Sequence, residues 1–346
     1  MSSFESKIVV IGVGGAGSNI ISAMMDTKLP NVQLYAANTD MQHLECLDIP
    51  AANKIQLGKY GLGAGSDYKA GQDAAMESDT MARIKAVLNG ANLLFLIAGM
   101  GGGTGTGATH VIAGFAKEMK IPTIAIVTMP FDFEGRDRMA VANTGLNLLV
   151  KKVDAFLIIS NQNASALLPN HSSRDVFDAI SQKINDLVIS VCDIVYTNLD
   201  LNVDLADIRT LIERANRLHI GYGDDDGANA LVEATKKAAI NEFTNSTIQH
   251  ARKLLLIFRV GSGIQHIAIK NAADTVREVA AEGANIKIGL FTDENMDPDR
   301  AVVTMLASDF CPPVDPARMG QRTAPKGNFV PQQSDFDAQS KQIFKK

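Results

Sequence analysis

Apolar runs alternate with helical patterns through the first half of this chain, which predicts an α/β protein. The expected architecture is a parallel sheet covered by helices on both faces, then a long central helix, then a smaller α+β unit. Three observations carry the prediction. Short apolar runs recur at residues 7–13, 32–37, 92–98, 122–128 and 153–160, with helix-spaced segments between them. Val176, Phe177, Ile180, Ile184, Leu187, Val188, Val191 and Val195 then fall at intervals of three and four, which predicts one helix over 173–195. At 1.5 Å per residue that helix is roughly 35 Å long. Beyond it the spacing shortens, and strands and helices no longer alternate regularly.

The elements follow in order. Residues 7–13 form a continuous apolar run and read as a buried strand. Residues 16–26 read as a helix with Ile20, Ile21, Met24 and Met25 on one side, and 32–37 as a second strand. Residues 68–89 read as one helix, with Met81, Ile84, Val87 and Leu88 at helix spacing and Gly90 as its stop. Strand 92–98, helix 106–119, strand 122–128, helix 136–150 and strand 153–160 complete the first part. After the central helix come helices at 206–216 and 228–241, strand 253–260, helix 271–282, and strands 285–292 and 301–308. The expected domains are 1–172, the helix and its connection at 173–200, the α+β unit at 201–311, and 312–346. From Pro312 the chain is rich in Pro, Gln, Ser and Asp and poor in apolar residues, so it reads as a disordered tail.

Composition narrows the function. The net charge is −5 with no basic cluster, which argues against nucleic acid as a partner. The longest apolar stretch, 92–98, is far too short to span a bilayer, so no direct membrane insertion is expected. Residues 1–7 include an acid and do not read as a signal peptide. Cys46, Cys192 and Cys311 are odd in number and lack metal-ligand spacing, so a reducing cytoplasm is the simplest setting.

Function is legible in two glycine loops. Gly12-Val-Gly14-Gly15-Ala16-Gly17 fits G-x-G-x-x-G between a strand and a helix, with Asp40 placed after the second strand. That is the dinucleotide fingerprint, and an NAD-dependent oxidoreductase is one reading of it. The broader inference is a phosphate-bearing nucleotide at a helix N-terminus. The second loop, Gly99-Met-Gly101-Gly102-Gly103-Thr104-Gly105-Thr106-Gly107, has six glycines in nine residues. Glycines are costly to order, so packing alone is not expected to explain them. They read as a nest of backbone N–H groups around phosphate oxygens, with the threonines adding hydroxyls. No Lys or Arg lies between Lys85 and Lys117, so this is not a lysine-bearing P-loop. Phosphate charge would be met by backbone dipoles, the helix terminus and a bound Mg²⁺.

Gly-Gly-Gly-Thr-Gly-Thr-Gly at 101–107 resembles the signature of the tubulin/FtsZ superfamily, and its surroundings are similar to the bacterial cell-division GTPases of that family over about residues 5–310. The resemblance implies a GTP-binding domain at 1–172 with GTP, GDP and Mg²⁺ as ligands. Its implied GTP contacts are Gly14, Gly15, Ala16 and Asn19 in the first loop, Asn38 and Asp40 in the second, and Gly63, Ala64 and Gly65 in a γ-phosphate loop. Gly101, Gly102, Gly103, Thr104, Gly105, Thr106 and Gly107 follow. Thr128, Pro130, Glu134 and Arg138 form a ribose loop, and Asn161, Phe177 and Ser181 complete the set. Asn202-Val-Asp204-Leu-Ala-Asp207 resembles the family's catalytic N-x-D-F-A-D loop, so Asn202, Asp204 and Asp207 are implied to act on the nucleotide of the next subunit in a head-to-tail filament. Read from the residues alone, Asp204 and Asp207 at a helix start either cap that helix or position a water for attack on phosphate.

The chain departs from the family in four places. The approach to Gly61 is shorter, and Asp67-Tyr68 replaces Asn-Pro. Ser181 stands where the family has Asn or Asp on the base edge, one turn beyond Phe177, and the tail does not match the family's partner-binding peptide. The resemblance implies a cytoplasmic, filament-forming GTPase at the division site, partnered by itself and, through the tail, by another FtsZ or division proteins. The alternative within the family is a paralogue that co-assembles with another FtsZ.

Overall fold

The computed structural model describes residues 6–27, 29, 31–196 and 203–310. Contacts divide the chain into two compact units, Met1–Ser165 with Asn170–Cys192, and Ala166–Pro169 with Asp193–Lys346.

The first unit opens with β1 (Ile8–Val13), α1 (Gly14–Met24), β2 (Val32–Asn38), α2 (Met41–Cys46) and β3 (Lys54–Gln56). It continues through α3 (Tyr68–Met76), α4 (Ser78–Leu88), β4 (Leu93–Gly99), α5 (Gly103–Glu118), β5 (Thr123–Met129), α6 (Arg136–Leu149) and β6 (Ala155–Ser160). Next come α7 (Asn161–Leu167) and the 24-residue α8 (Ser173–Tyr196). The strands run in the order β3-β2-β1-β4-β5-β6, all parallel. Every residue of β1 and β5 is buried, as expected of strands covered on both faces. The order reverses between β1 and β4, the switch point where open α/β sheets leave a crevice beyond the strand ends.

Two differences from the expected helices bear on the glycine loops. The single helix expected over 68–89 is broken at Glu77, whose backbone is extended (φ −59°, ψ 141°) and which ends α3 and begins α4. The Ser-Asp-Thr run that follows competes locally with helical hydrogen bonding. Helix α5 starts at Gly103 and not at Thr106, inside the glycine run.

The second unit holds α9 (Leu205–Ile212), the two-residue β7 (Asn216–Arg217), β8 (His219–Asp225) and α10 (Ala230–Ala238). The short pair β9 (Ile240–Asn241) and β10 (Ser246–Thr247), β11 (Ala251–Val260), α11 (His266–Val279), β12 (Asn285–Thr292) and β13 (Ala301–Phe310) follow. Its sheet is mixed, in the order β12-β11-β13-β8. Strands β11 and β12 are parallel, and β13 is antiparallel to β11 and β8. Leu254, Leu256, Phe258, Val303 and Met305 face Leu231, Ala234, Ala272 and Val276 of α10 and α11 in one core. Strand β8 was not expected, because its glycines count against a strand. A Cβ at Gly221 or Gly223 would meet the Ala238 or Ala234 carbonyl oxygen at 1.7 or 1.9 Å, so the glycines let α10 lie directly on the strand. Among the described residues, no helix is long and apolar enough to cross a membrane.

Candidate functional site

The site is built where two helices begin side by side. Strands β1 and β4 are hydrogen-bonded neighbours, with Val13 opposite Ala98. Each runs directly into a helix, α1 or α5. Neither helix has a side-chain cap, and neither has an acid in its first turn. The first amides of a helix have no partner within it, so two uncapped, positive helix ends open at the switch point. That arrangement suits a polyanion.

The glycines divide by what surrounds them. A Cβ at Gly105 would meet the Gly99 carbonyl oxygen at 2.3 Å, and one at Gly107 the Tyr68 oxygen at 1.9 Å. At Gly103 it would meet the carbonyl oxygens of Gly65, Ala64 and Asp67 at 2.7–2.8 Å. Packing therefore does account for these three, contrary to the expectation from sequence: Gly103 and Gly107 let α5 press against the 64–67 loop and α3, and Gly105 lets it press against the end of β4. Gly14, at φ +73°, lets the first loop approach the Gly105 amide. Gly15, Gly65 and Gly102 are different, since a Cβ on any of them meets nothing within 4 Å. They face open space.

Hydrogen bonds join the loops. Gly103 N–H donates to Gly65 O at 3.0 Å, Gly63 N–H to Thr39 O at 3.0 Å, and Met41 N–H to Gly61 O at 3.0 Å. The buried hydroxyls of Thr39 and Thr104 pair at 2.6 Å. Thr106 is fully buried and its Oγ1 accepts the Gly101 N–H at 2.8 Å, so it braces the loop. Asp40 accepts the His43 N–H at 3.1 Å and caps α2. Its own N–H donates to Asn38 Oδ1 at 3.3 Å. The structure thus brings Gly14–Ala16, Asn38–Asp40, Gly63–Gly65 and Gly101–Gly107 together, with Asn19 exposed one turn along α1.

The far side is aromatic and polar. Met100 N–H donates to Thr128 O at 2.9 Å, and Gly101 lies against Pro130 and Arg138. Glu134 Oε1 accepts the Phe131 N–H at 2.8 Å, and its Oε2 meets Arg138 Nε at 3.0 Å. Phe177, 48% exposed, packs edge-on against Phe131, which stacks on Phe133. Ser181 Oγ donates to Phe177 O at 2.9 Å. Its proton is committed to the helix, so it offers a neighbour only lone pairs. Asn161 is buried at the start of α7, and its Oδ1 has no protein partner. An orphan acceptor of this kind is costly unless a ligand meets it.

The acid loop lies in the second unit. Asp204 Oδ1 accepts the Asp207 N–H at 3.0 Å, and Asp207 Oδ2 accepts the Asp204 N–H at 2.9 Å, a reciprocal capping box on α9. Burial pushes the Asp207 carboxyl up, but hydrogen bonds from Lys287 and the Asp204 amide outweigh it and hold it below its ordinary value. Asn202 lies outside the described residues. Sequence reasoning missed Lys287, and also Thr39 as a brace. Neither has a local signal, because each is defined by a partner distant in sequence.

Residues 7–169 match the Tubulin/FtsZ family, GTPase domain. Over 321 residues the chain is 36% identical to the cell division protein FtsZ of Aquifex aeolicus (strain VF5), covering 91% of this chain and 86% of that one. The chain belongs to the tubulin/FtsZ family. A solved empty FtsZ dimer from M. jannaschii matches with a TM-score of 0.78 and 30% identity over 89% of each chain. CetZ2 from Haloferax volcanii, solved as a GTPγS-bound protofilament, matches with a TM-score of 0.74 at 20% identity over 97% of this chain and 98% of that one, a likeness of fold alone. As a tubulin/FtsZ GTPase the protein binds GTP and GDP and hydrolyses GTP. The oxidoreductase reading falls away with membership, and its key acid, Asp40, serves as a helix cap.

Proposed function

We propose that this protein is a cytoskeletal GTPase of bacterial cell division that assembles head to tail in the cytoplasm and hydrolyses GTP at subunit junctions. The observation that supports this reading most is the pair of uncapped helix ends, α1 and α5, opening at one switch point beside glycines that face empty space. In this reading the phosphates sit on the amides of Gly14–Ala16 and on those of Gly102, Thr104 and Gly105, with the 63–65 loop beside them; the Gly103 N–H is already given to Gly65 O. The base stacks on Phe177, with Ser181 Oγ accepting from its edge. Glu134 and Arg138 hold the ribose, and Asn161 Oδ1 gains the partner it lacks.

Among the described residues no three acidic, His or Cys side chains gather as a metal cage. In this reading a bound Mg²⁺ would draw its oxygen ligands from the phosphates and water. When bound, the ion neutralises charge on the β- and γ-phosphates. Phosphoryl transfer then needs mainly an oriented water. In this reading Asp204 and Asp207 of a second copy supply that orientation, as their likeness to the family's catalytic loop implies.

Light scattering on addition of GTP, against GDP and ATP, tests the assembly. A GTP-specific rise supports it, and no rise at any protein concentration removes it. Ser181, shorter than the family's usual side chain, favours one rival: a paralogue that co-assembles with another FtsZ. The rival expects scattering only when a second FtsZ is added.

A further inference from the structure

The side chain of Asp207 is held from two directions. Its Oδ2 closes the capping box with the Asp204 amide, and the same carboxylate oxygen meets the ammonium of Lys287 at 2.5 Å. Lys287 lies on β12, the edge strand of the second unit's sheet. Ile286 and Ile288, its neighbours, pack against the core formed with α10 and α11. Side chains alternate along a strand, so Lys287 points to the opposite face. Its register partners there are Leu255 and then Leu306. Strand-edge lysines ordinarily protect an edge and extend into water. This one folds onto an acid that is only 23% exposed, while its own side chain is 47% exposed. Lys253, from the neighbouring β11, is engaged elsewhere, on the Thr210 carbonyl oxygen at 3.4 Å.

We propose that Lys287 is a positioning residue for GTP hydrolysis: it pins Asp207 through Oδ2, so that Oδ1 faces the attacking water, and offsets the charge that two carboxylates would bring to a polyphosphate. The inference rests on the reading of Asp207 as the group that orients this water. The lysine of the pair is 47% exposed and screened by solvent, so the larger consequence of the contact is orientation and charge. The ammonium beside Asp207 also opposes the upward push of burial.

The test uses the full chain with Lys287→Met, Lys287→Arg and Asp207→Asn. Each is assayed for GTP affinity, pelleting with a non-hydrolysable GTP analogue, and kcat above the assembly threshold. Lys287→Met should lower kcat about five-fold or more, the size of a coupled contact. Affinity and pelleting should stay at wild-type levels, and Lys287→Arg should restore most of the rate. A wild-type or raised kcat in Lys287→Met overturns the proposal. So does loss of analogue-driven pelleting, or an arginine that fails to rescue, since either marks a structural role. Asp207→Asn separates the two levels. If it hydrolyses like wild type, the reading of Asp207 fails and this inference with it. If it is impaired while Lys287→Met is not, only the role of the lysine fails.

Discussion

An added Cβ at Gly102 meets nothing within 4 Å, whereas at Gly105 it would meet the Gly99 carbonyl oxygen at 2.3 Å. The two glycines stand in one loop for opposite reasons, and mutants should separate them. Gly102 has an extended backbone (φ −98°, ψ 176°) open to any residue, so Gly102→Val should fold normally yet fill the space proposed for phosphate. GTP affinity should fall at least ~100-fold with the melting temperature unchanged, a loss of about 2.7 kcal/mol or more of binding. Wild-type affinity in a folded Gly102→Val protein would place the phosphates elsewhere. Gly105→Ser, by contrast, should destabilise the fold. Ser181 offers a second residue-scale test. Its hydroxyl proton is given to Phe177 O, so it faces the base as an acceptor, which suits the N–H edge of guanine. Ser181→Ala should lower the GTP/ATP affinity ratio roughly ten-fold, and Ser181→Asn should raise it above wild type. An unchanged ratio in both would show that the residue does not read the base.

Helix α9 is only eight residues long and begins with a capping box. Its N-terminus depends on Asp204 and Asp207 whatever else they do. Both readings of this loop, cap and water-positioning acid, are therefore open at once, and substitutions can divide them. Asp204→Ala should cost about 1 kcal/mol by urea denaturation, the usual size of a lost cap. Asp204→Ser keeps a capping oxygen and removes the charge. It should restore most of that stability while hydrolysis stays low. Full hydrolysis in a stable Asp204→Ser protein would leave Asp204 as a cap alone.

At the scale of the whole molecule the acids and the cradle belong to different units of one chain. The proposal of catalysis between subunits predicts a concentration threshold in GTPase activity per molecule. It also predicts complementation. Gly102→Val lacks nucleotide and keeps the acid loop, while Asp207→Ala binds nucleotide and lacks the acid. Mixed at equal concentration, the two inactive proteins should regain measurable hydrolysis. Activity per molecule that is constant down to concentrations without polymer would instead mean a self-contained active site.

The alternation of strand and helix was legible in the sequence because parallel strands buried on both faces read as unbroken apolar runs. The 24-residue α8 was legible because its apolar stripe holds helical spacing. The family could be read from local order, since the glycine loops at 12–17 and 99–107 are contiguous motifs, each at the end of one strand. What the sequence could not decide lies between segments. Strand β8 was hidden because Gly221 and Gly223 are explained only by the backbone of α10 pressing on them. The packing at Gly103 and Gly107 depends on the 64–67 loop and α3, which approach from elsewhere in the chain. Lys287 found Asp207 only through the tertiary packing that sets its side chain beside the start of α9. Local periodicity reports which face of an element is buried. Which atoms meet across that face is set by tertiary packing, where sequence separation carries no information.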